Sequence, residues 1–397
     1  MTFSCVTVQG ISREIPATTQ GKHSGNWSMN SIPTTMQAYV LTGHGDLDML
    51  AHHTDWPVPT PGNTDVLIQV GACGLNNTDI NTRTGWYSKA VSEATDGAGY
   101  NSVGEDDPAW GGSPVTFPRI QGADVAGTIV AVGAGVDSSF VGKRVITDNW
   151  MRDWSDPLNL DKTGYFGSER DGGYAGFCCI DYRNVGVIES NLSDAELATF
   201  SCSYTTAEGM LSRAAVTDAD TVLITGASGG VGSALIQLAK RRGARVVGLA
   251  SPEKHESIRA LGADAVLPRT PENLSADLKS AIGRESVDVV ADVVGGEAFS
   301  NLLDTLRRGG RYTCSGAIAG PIVDLDLRTF YLNDLTFTGS TVVMPEIFTD
   351  VVSYISRGEI KPLLAKTYPL SDLKSAQLAF IEKKHTGNIA VTMMDHD

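Results

Sequence analysis

The clearest chemistry in this chain sits in Gly226-Ala227-Ser228-Gly229-Gly230-Val231-Gly232. Small residues at this spacing let the backbone approach a diphosphate, and the free N–H groups and dipole of a following helix hold the anion. Ala227 stands where the usual fingerprint has its first glycine. A second candidate set lies downstream, in Gly248-Leu-Ala-Ser251-Pro-Glu253-Lys254. An Asp or Glu at the end of a second strand would bond the 2′-OH of an NAD ribose. Here that position is Ser251, with Lys254 three residues on. A carboxylate would repel a 2′-phosphate, whereas Ser251 supplies a hydroxyl and Lys254 a point positive charge. The pattern predicts NADPH as cofactor. Glu253 runs against it, unless it serves the positive dipole end of a helix that starts there. Arg241, Arg242 and Arg245 read as a solvated helix end.

Such residues work only at the junction of a strand and a helix. Thr221 to Ile224 reads as a buried parallel strand. Val231, Ala234, Leu235, Leu238 and Ala239 then recur at the spacing of one helix face. A second strand (Arg245 to Ala250), a helix (Glu253 to Leu261), a third strand (Ala265 to Leu267) and a fourth (Val287 to Val294) alternate after it. That alternation predicts a doubly wound parallel sheet in an α/β chain.

With 397 residues, 42% of them hydrophobic, the chain can build two domains with substantial cores. A net charge of −15 argues against nucleic acid and anionic membrane as partners, since both need a basic face. No apolar run approaches the roughly 20 residues that cross a bilayer. Six cysteines without regular spacing read as reduced thiols of a cytoplasmic protein. Residues 1–35 are rich in Ser, Thr and Gly. They lack the pattern of a signal peptide, are Arg-poor for a transit peptide, and read as an extension. From Met36 to about Val187 the chain is mostly β, with strands at Val66 to Cys73, Gly127 to Val132 and Arg144 to Ile146. Two long inserts interrupt it, from about Ser88 to Thr116 and from about Asn149 to Gly173. The second carries Trp150, Trp154, Tyr165 and Phe166, which either anchor the loop or a subunit contact, or line a substrate pocket.

Ala72-Cys-Gly-Leu-Asn-Asn-Thr-Asp-Ile, Gly122-Ala-Asp-Val-Ala-Gly, Gly172-Gly-Tyr-Ala, the glycine-rich turn, Asp292-Val-Val-Gly-Gly and Leu306-Arg-Arg-Gly-Gly-Arg occur in that order. Together they resemble the medium-chain dehydrogenase/reductase superfamily, and within it the zinc-free quinone oxidoreductase-like branch, over Met36 to Met394. The resemblance implies a GroES-like β-rich catalytic domain (36–190), a Rossmann dinucleotide-binding domain (191–342) and a return to the catalytic domain (343–397). It also implies a homodimer. Zinc enzymes of the superfamily place Cys, His and Cys around the metal. The matching positions here resemble Asn76, Ala123 and Cys202, and one thiolate cannot make a three-ligand open site. The four clustered cysteines of the structural zinc lobe are missing too, and Cys178-Cys179 are too close in sequence to chelate one tetrahedral zinc unaided. No metal is expected.

In enoyl thioester reductases of the same branch, an Asn-Pro-Ser-Asp-Ile-Asn segment precedes Gly-x-Tyr, and that Tyr is the assigned proton donor. The resemblance puts Tyr87 in that role and Asn76 beside the nicotinamide. Thr78 stands on the cofactor side, where relatives have Ser, and Asn77 replaces their Pro. Hydride addition to an enone generates an enolate, which needs a hydrogen-bond donor and then a proton. A phenol with a pKa of about 10 supplies both at neutral pH. The alternative for Tyr87 is a packed aromatic at the pocket mouth. Asp79 reads as a brace. Thr206 matches a Thr that contacts the nicotinamide in relatives, and Cys314-Ser315-Gly316 should run past the carboxamide, with Cys314 a small buried hydrophobe. Asn388 takes the place of Lys in the family's Gly-Lys-x-Val ending. The expected function is a zinc-independent, NADPH-dependent reductase of a quinone or an activated C=C bond. The alternatives are an alcohol dehydrogenase relative with an altered metal site, or an NADPH-binding protein without turnover.

Overall fold

The computed structural model describes residues 32–393, so nearly all of the expected extension 1–35 lies outside the described residues. An antiparallel pair, β1 (Thr35–Leu41) and β2 (Leu50–Pro57), begins the chain. β3 (Asp65–Gly74) organises the first sheet. Its Val66, Ile68, Ala72 and Cys73 are fully buried, as suits a strand covered on both faces. After the short helix α1 (Asn77–Thr84) come β4 (Asp124–Val132), β5 (Arg144–Thr147), the small hairpin β6 (Trp150–Met151) and β7 (Gly164–Tyr165), then β8 (Phe177–Asp181) and β9 (Val185–Val187). β4 and β8 both pair antiparallel with β3, and β5 carries the sheet on from β4 to β9. These are the expected short strands, with the second insert holding its own hairpin.

Two helices, α2 (Asp194–Leu197) and α3 (Ser201–Arg213), lead into the second sheet. It comprises β10 (Thr221–Ile224), helix α4 (Gly230–Arg241), β11 (Arg245–Ala250), α5 (His255–Ala260), β12 (Ala265–Pro268), α6 (Leu274–Ile282), β13 (Val287–Asp292), α7 (Phe299–Asp304), β14 (Leu306–Cys314), α8 (Leu327–Leu332) and β15 (Thr336–Gly339). All six strands are parallel, in the order β12-β11-β10-β13-β14-β15. The expected bounds of β10 and β11 match residue for residue. Connections leave β10 toward β11 on one side, and β13 flanks its other side. Ligands bind outside the carboxyl ends of strands at such a switch point.

The chain then runs through α9 (Pro345–Ser356), β16 (Leu364–Pro369), α10 (Leu373–Ile381) and β17 (Asn388–Thr392). β17 pairs antiparallel with β3, so the C-terminal segment rejoins the first sheet. α9 packs toward both sheets, and a Cβ on Gly186 of β9 would meet its Val352 and Phe348. Its Phe348, Val351, Tyr354 and Ile355 enter a core with Met210, Leu211, Val222 and Leu235 of the nucleotide-domain side. Ala72, Ala126 and Ile146 of the first sheet belong to the same core, which therefore runs through both sheets. Among the described residues no helix is long and apolar enough to cross a membrane, and the five cysteines are free.

Candidate active site

The glycine-rich turn leaves β10 and enters α4. A Cβ on Gly232 would stand 2.1 Å from the carbonyl oxygen of Gly226, so only glycine lets helix and turn close to this distance. Gly229 is different. A Cβ there would meet only the Gly226 oxygen, at 3.5 Å, which leaves open space above the turn. Gly229 is the N-cap of α4, and no described side chain caps the first turn. The leading N–H groups of the helix thus face an opening free of bulk, which fits the diphosphate of a dinucleotide. Gly387 closes the far lip, its N–H donating to the Ser228 carbonyl at 2.8 Å.

A cavity of about 240 Å³ opens from this turn toward the first sheet. Gly229, Gly230, Val231 and Gly232 line it, whereas Ala227 is fully buried and neither it nor Ser228 reaches the cavity wall. On the other side the wall is α1 and the residues after it. Asp79 accepts from the Asn76 N–H (2.8 Å) and from the Tyr174 hydroxyl (2.9 Å), which starts α1 at its N-cap. Gly85, at φ 79°, ends it. The fully buried Arg83 straps the helix down by donating to Gln377, Gly45 and Gly97. Thr78 and Asn81, one helical turn apart, share a face, and Tyr87 comes back over it after the Gly85 turn. Burial pushes the Tyr87 phenol up to about 12, with Thr78 and Asn81 pulling the other way. Tyr87 is therefore a protonated donor across the usual pH range. Burial also raises Asp79, to about 7, against its hydrogen bonds to Asn76 and Tyr174. Asp79 braces the segment, as expected.

α3 supplies Cys202, Ser203 and Thr206. The Cys202 N–H and the Asn149 amide both donate to one oxygen of the fully buried Asp124, at 2.9 and 2.7 Å. Burial drives Asp124 up to about 6, against the Asn149 and Asn76 side chains, and drives the Cys202 thiol upward as well. The three positions that resemble zinc-ligand positions, Asn76, Ala123 and Cys202, thus carry an amide, a methyl group and a thiol held toward its protonated form. Among the described residues no group of three His, Cys, Asp or Glu side chains could hold a metal. The donor set does not fit zinc.

The cavity gathers Asn76, Thr78, Tyr87, Thr206, Gly229, Gly230, Val231, Gly232, Ser315 and Asn388 from the expected site. Asn388 is an internal strut rather than a free phosphate ligand, since its amide donates to Thr199 O and Ser203 Oγ. Ser251 and Lys254 are not brought to the cavity wall. The Ser251 hydroxyl donates to Glu253, and the Lys254 ammonium donates to the carbonyls of Lys383 and His385 at 2.6 and 2.7 Å, leaving one N–H. The aromatics of the second insert divide. Trp150 and Tyr165 line the cavity, Phe166 is core, and Trp154 donates to Asn184 under the Arg183 guanidinium. Asn81, Trp110, Phe380 and the Thr95–Ile318 pair also line it and were not foreseen. The Thr95 N–H donates to the Ile318 carbonyl at 2.9 Å, tying the first insert to the loop after β14. Only the Asn76–Tyr87 motif hinted at Asn81; Thr95 and Trp110 come from an insert without periodicity, Ile318 from the loop after β14 and Phe380 from α10.

Residues 62–190 match the family model described as "Alcohol dehydrogenase GroES-like domain", and residues 230–357 that described as "Zinc-binding dehydrogenase". The chain is similar to a Sinorhizobium meliloti protein of known structure described as an alcohol dehydrogenase. The two share 45% identity with a TM-score of 0.83, over 92% of this chain and 98% of that one. It is 27% identical to the chloroplastic NADPH-dependent alkenal/one oxidoreductase of Arabidopsis thaliana, over 98% of this chain and 88% of the relative. It is 28% identical to the quinone oxidoreductase of Rattus norvegicus, over 86% and 92% respectively.

Proposed function

Because the chain belongs to the medium-chain dehydrogenase/reductase superfamily and is an oxidoreductase, we propose that it is a metal-independent, NADPH-dependent reductase of a quinone or an activated C=C bond. One observation carries this reading. The phosphate-binding turn and Tyr87 line a single cavity, together with Asn76, which resembles the position of a zinc-ligating cysteine in the family's metal enzymes. When bound, the cofactor supplies the hydride. The chain does the rest. The first turn of α4 holds the diphosphate, and Thr206 and Ser315 border the ring end of the cavity. Tyr87 donates its proton to the oxygen or carbon that becomes basic as hydride arrives, and solvent reprotonates it. Asp79 and Arg83 hold in place the helix that leads into the donor. The alkenal/one oxidoreductase and quinone oxidoreductase named above support the acceptor class.

NADPH oxidation by the metal-stripped full chain, against a panel of quinones and enones, tests the reading. Turnover that survives chelation is expected. Activity lost to a chelator and restored by zinc would overturn metal independence, and NADPH left unoxidised by every acceptor would overturn the reductase reading. We also propose a homodimer. Ile322, Leu327, Tyr331 and Leu332 are exposed apolar residues around α8, which precedes the edge strand β15. Sedimentation equilibrium reads the mass.

A further inference from the structure

Three aromatic rings line the cavity close to Cys202, which also lies near Tyr87. Trp110 comes from the first insert, and Trp150 and Tyr165 from the hairpin of the second. Their ring centroids stand 4.7 Å (Trp110–Trp150), 5.3 Å (Trp110–Tyr165) and 5.1 Å (Trp150–Tyr165) apart, all within the attractive range of ring pairs. One carboxylate holds the two inserts together. Glu169 Oε1 accepts from the Gly111 N–H at 3.1 Å, and Oε2 accepts from the Tyr165 N–H at 2.7 Å. Trp110, the residue before Gly111, is thereby tied to the hairpin that carries the other two rings.

Charge is absent from this wall. Among the described residues no Lys, Arg, His, Asp or Glu lines the cavity. Its ionisable groups are Tyr87, Tyr165 and Cys202, each pushed by burial toward the neutral form. The Trp150 indole N–H is buried with no partner among the described residues, an unspent donor in a wall of rings. A charged group entering here would lose its water and gain no countercharge. Trp150 and Tyr165 are only 3% and 2% exposed, so the face left to cover is that of the half-buried Trp110, which they back. The thin acyl arm of a thioester would leave it bare, and a flat conjugated ring would cover it.

We infer that the two inserts form an aromatic box that selects the hydride acceptor as a neutral molecule whose conjugated carbonyl is carried on a flat ring system. A fused-ring quinone and an aryl enone share this chemistry. The inference rests on the reductase reading above. Trp110 is a specificity-determining residue, and Glu169 is a positioning residue that acts through it. In the reaction the acceptor gains a hydride from the reduced nicotinamide and a proton from Tyr87, while the nicotinamide is oxidised.

The test measures kcat/KM of the full chain with NADPH for a naphthoquinone, an aryl enone, a linear aliphatic enone and crotonyl-CoA. Trp110→Ala and Trp110→Phe are run beside the parent, each with a melting curve. The ring acceptors are expected to exceed the linear enone by roughly tenfold or more, as stacking energies of this kind predict. Trp110→Ala should collapse most of that ratio and Trp110→Phe should restore it. A preference for crotonyl-CoA or the linear enone overturns the box and leaves the reductase standing, as does a ring preference unchanged in Trp110→Ala. If no acceptor oxidises NADPH, the reductase reading fails, and calorimetry with an aryl ketone lacking the double bond judges the box alone. Binding that weakens in Trp110→Ala sustains it. Absent or Trp110-independent binding overturns it.

Discussion

Tyr87→Phe separates chemistry from packing in this site. The substitution keeps the ring, which meets Trp86 edge-on at a centroid distance of 5.7 Å and an interplanar angle of 74°. It removes one hydroxyl, whose polar neighbours are Thr78 and Asn81. Loss of such hydrogen bonding costs stability on the order of 1 kcal/mol, so the melting curve should barely move. Catalysis should move far more. Loss of a donor that acts in the transition state lowers kcat by about 10²–10³, or roughly 3–4 kcal/mol, whereas a ground-state contact would show mainly in KM. With the phenol raised to about 12, its ionisation should cut no basic limb into the parent's pH–rate profile at ordinary pH. NADPH absorbance under saturating conditions, with one enone and one quinone, gives kcat for both proteins. The fall should be larger for the enone, which needs a proton on carbon, than for the quinone, whose oxygens water can protonate. An unchanged kcat with every accepted substrate refutes the reasoning and leaves Tyr87 a packing residue. A loss appearing instead in Tyr165→Phe would move the acid to the other phenol of the cavity.

Three further outcomes follow from the same geometry. Burial raises Asp79 to about 7 and Asp124 and Asp148 to about 6, so between about pH 4 and 7 the folded chain keeps protons that the unfolded chain has lost. Stability from these groups is present at the acid end of that window and falls as pH rises through it. Thermal melts across the window should decline, and less steeply in Asp124→Asn; a rise would refute the burial argument. Gly229→Ala should keep the parent's melting temperature, because its Cβ meets the fold only at 3.5 Å, yet weaken both nicotinamide cofactors by calorimetry. Gly232→Ala must push back the Gly226 oxygen and should melt lower. Lys254→Ala should weaken NADPH more than NADH, by roughly 1–3 kcal/mol, if its remaining N–H reaches a 2′-phosphate. Equal losses would mean that the ammonium serves only the Lys383 and His385 carbonyls.

The nucleotide-binding half was legible in the sequence because its signals are local. A buried parallel strand is a continuous apolar run, and its turn and helix follow within a dozen residues. Thr221–Ile224, Arg245–Ala250 and the glycines between them therefore declared themselves without any long-range contact. The roles expected for Asn76 and Tyr87 came by resemblance to a family motif, and such a motif is readable because capping residue, brace and phenol lie within a few turns of one another. What tertiary structure alone decided depends on residues far apart in the chain. Trp110, Trp150 and Tyr165 meet where Glu169 joins two inserts that carry no periodic pattern. α9 lies in the returning segment but is covered by α3 as well as by β9, elements far from it in the chain. Ser251 and Lys254 had the right types for a phosphate, but side-chain chemistry does not reveal which partners a hydroxyl or ammonium finds first. Glu253 and two backbone carbonyls lay within reach, and they take the Ser251 hydroxyl and two of the three Lys254 N–H groups. Hydrogen-bonding capacity is written in each residue; the competition for it is settled only when the chain is closed.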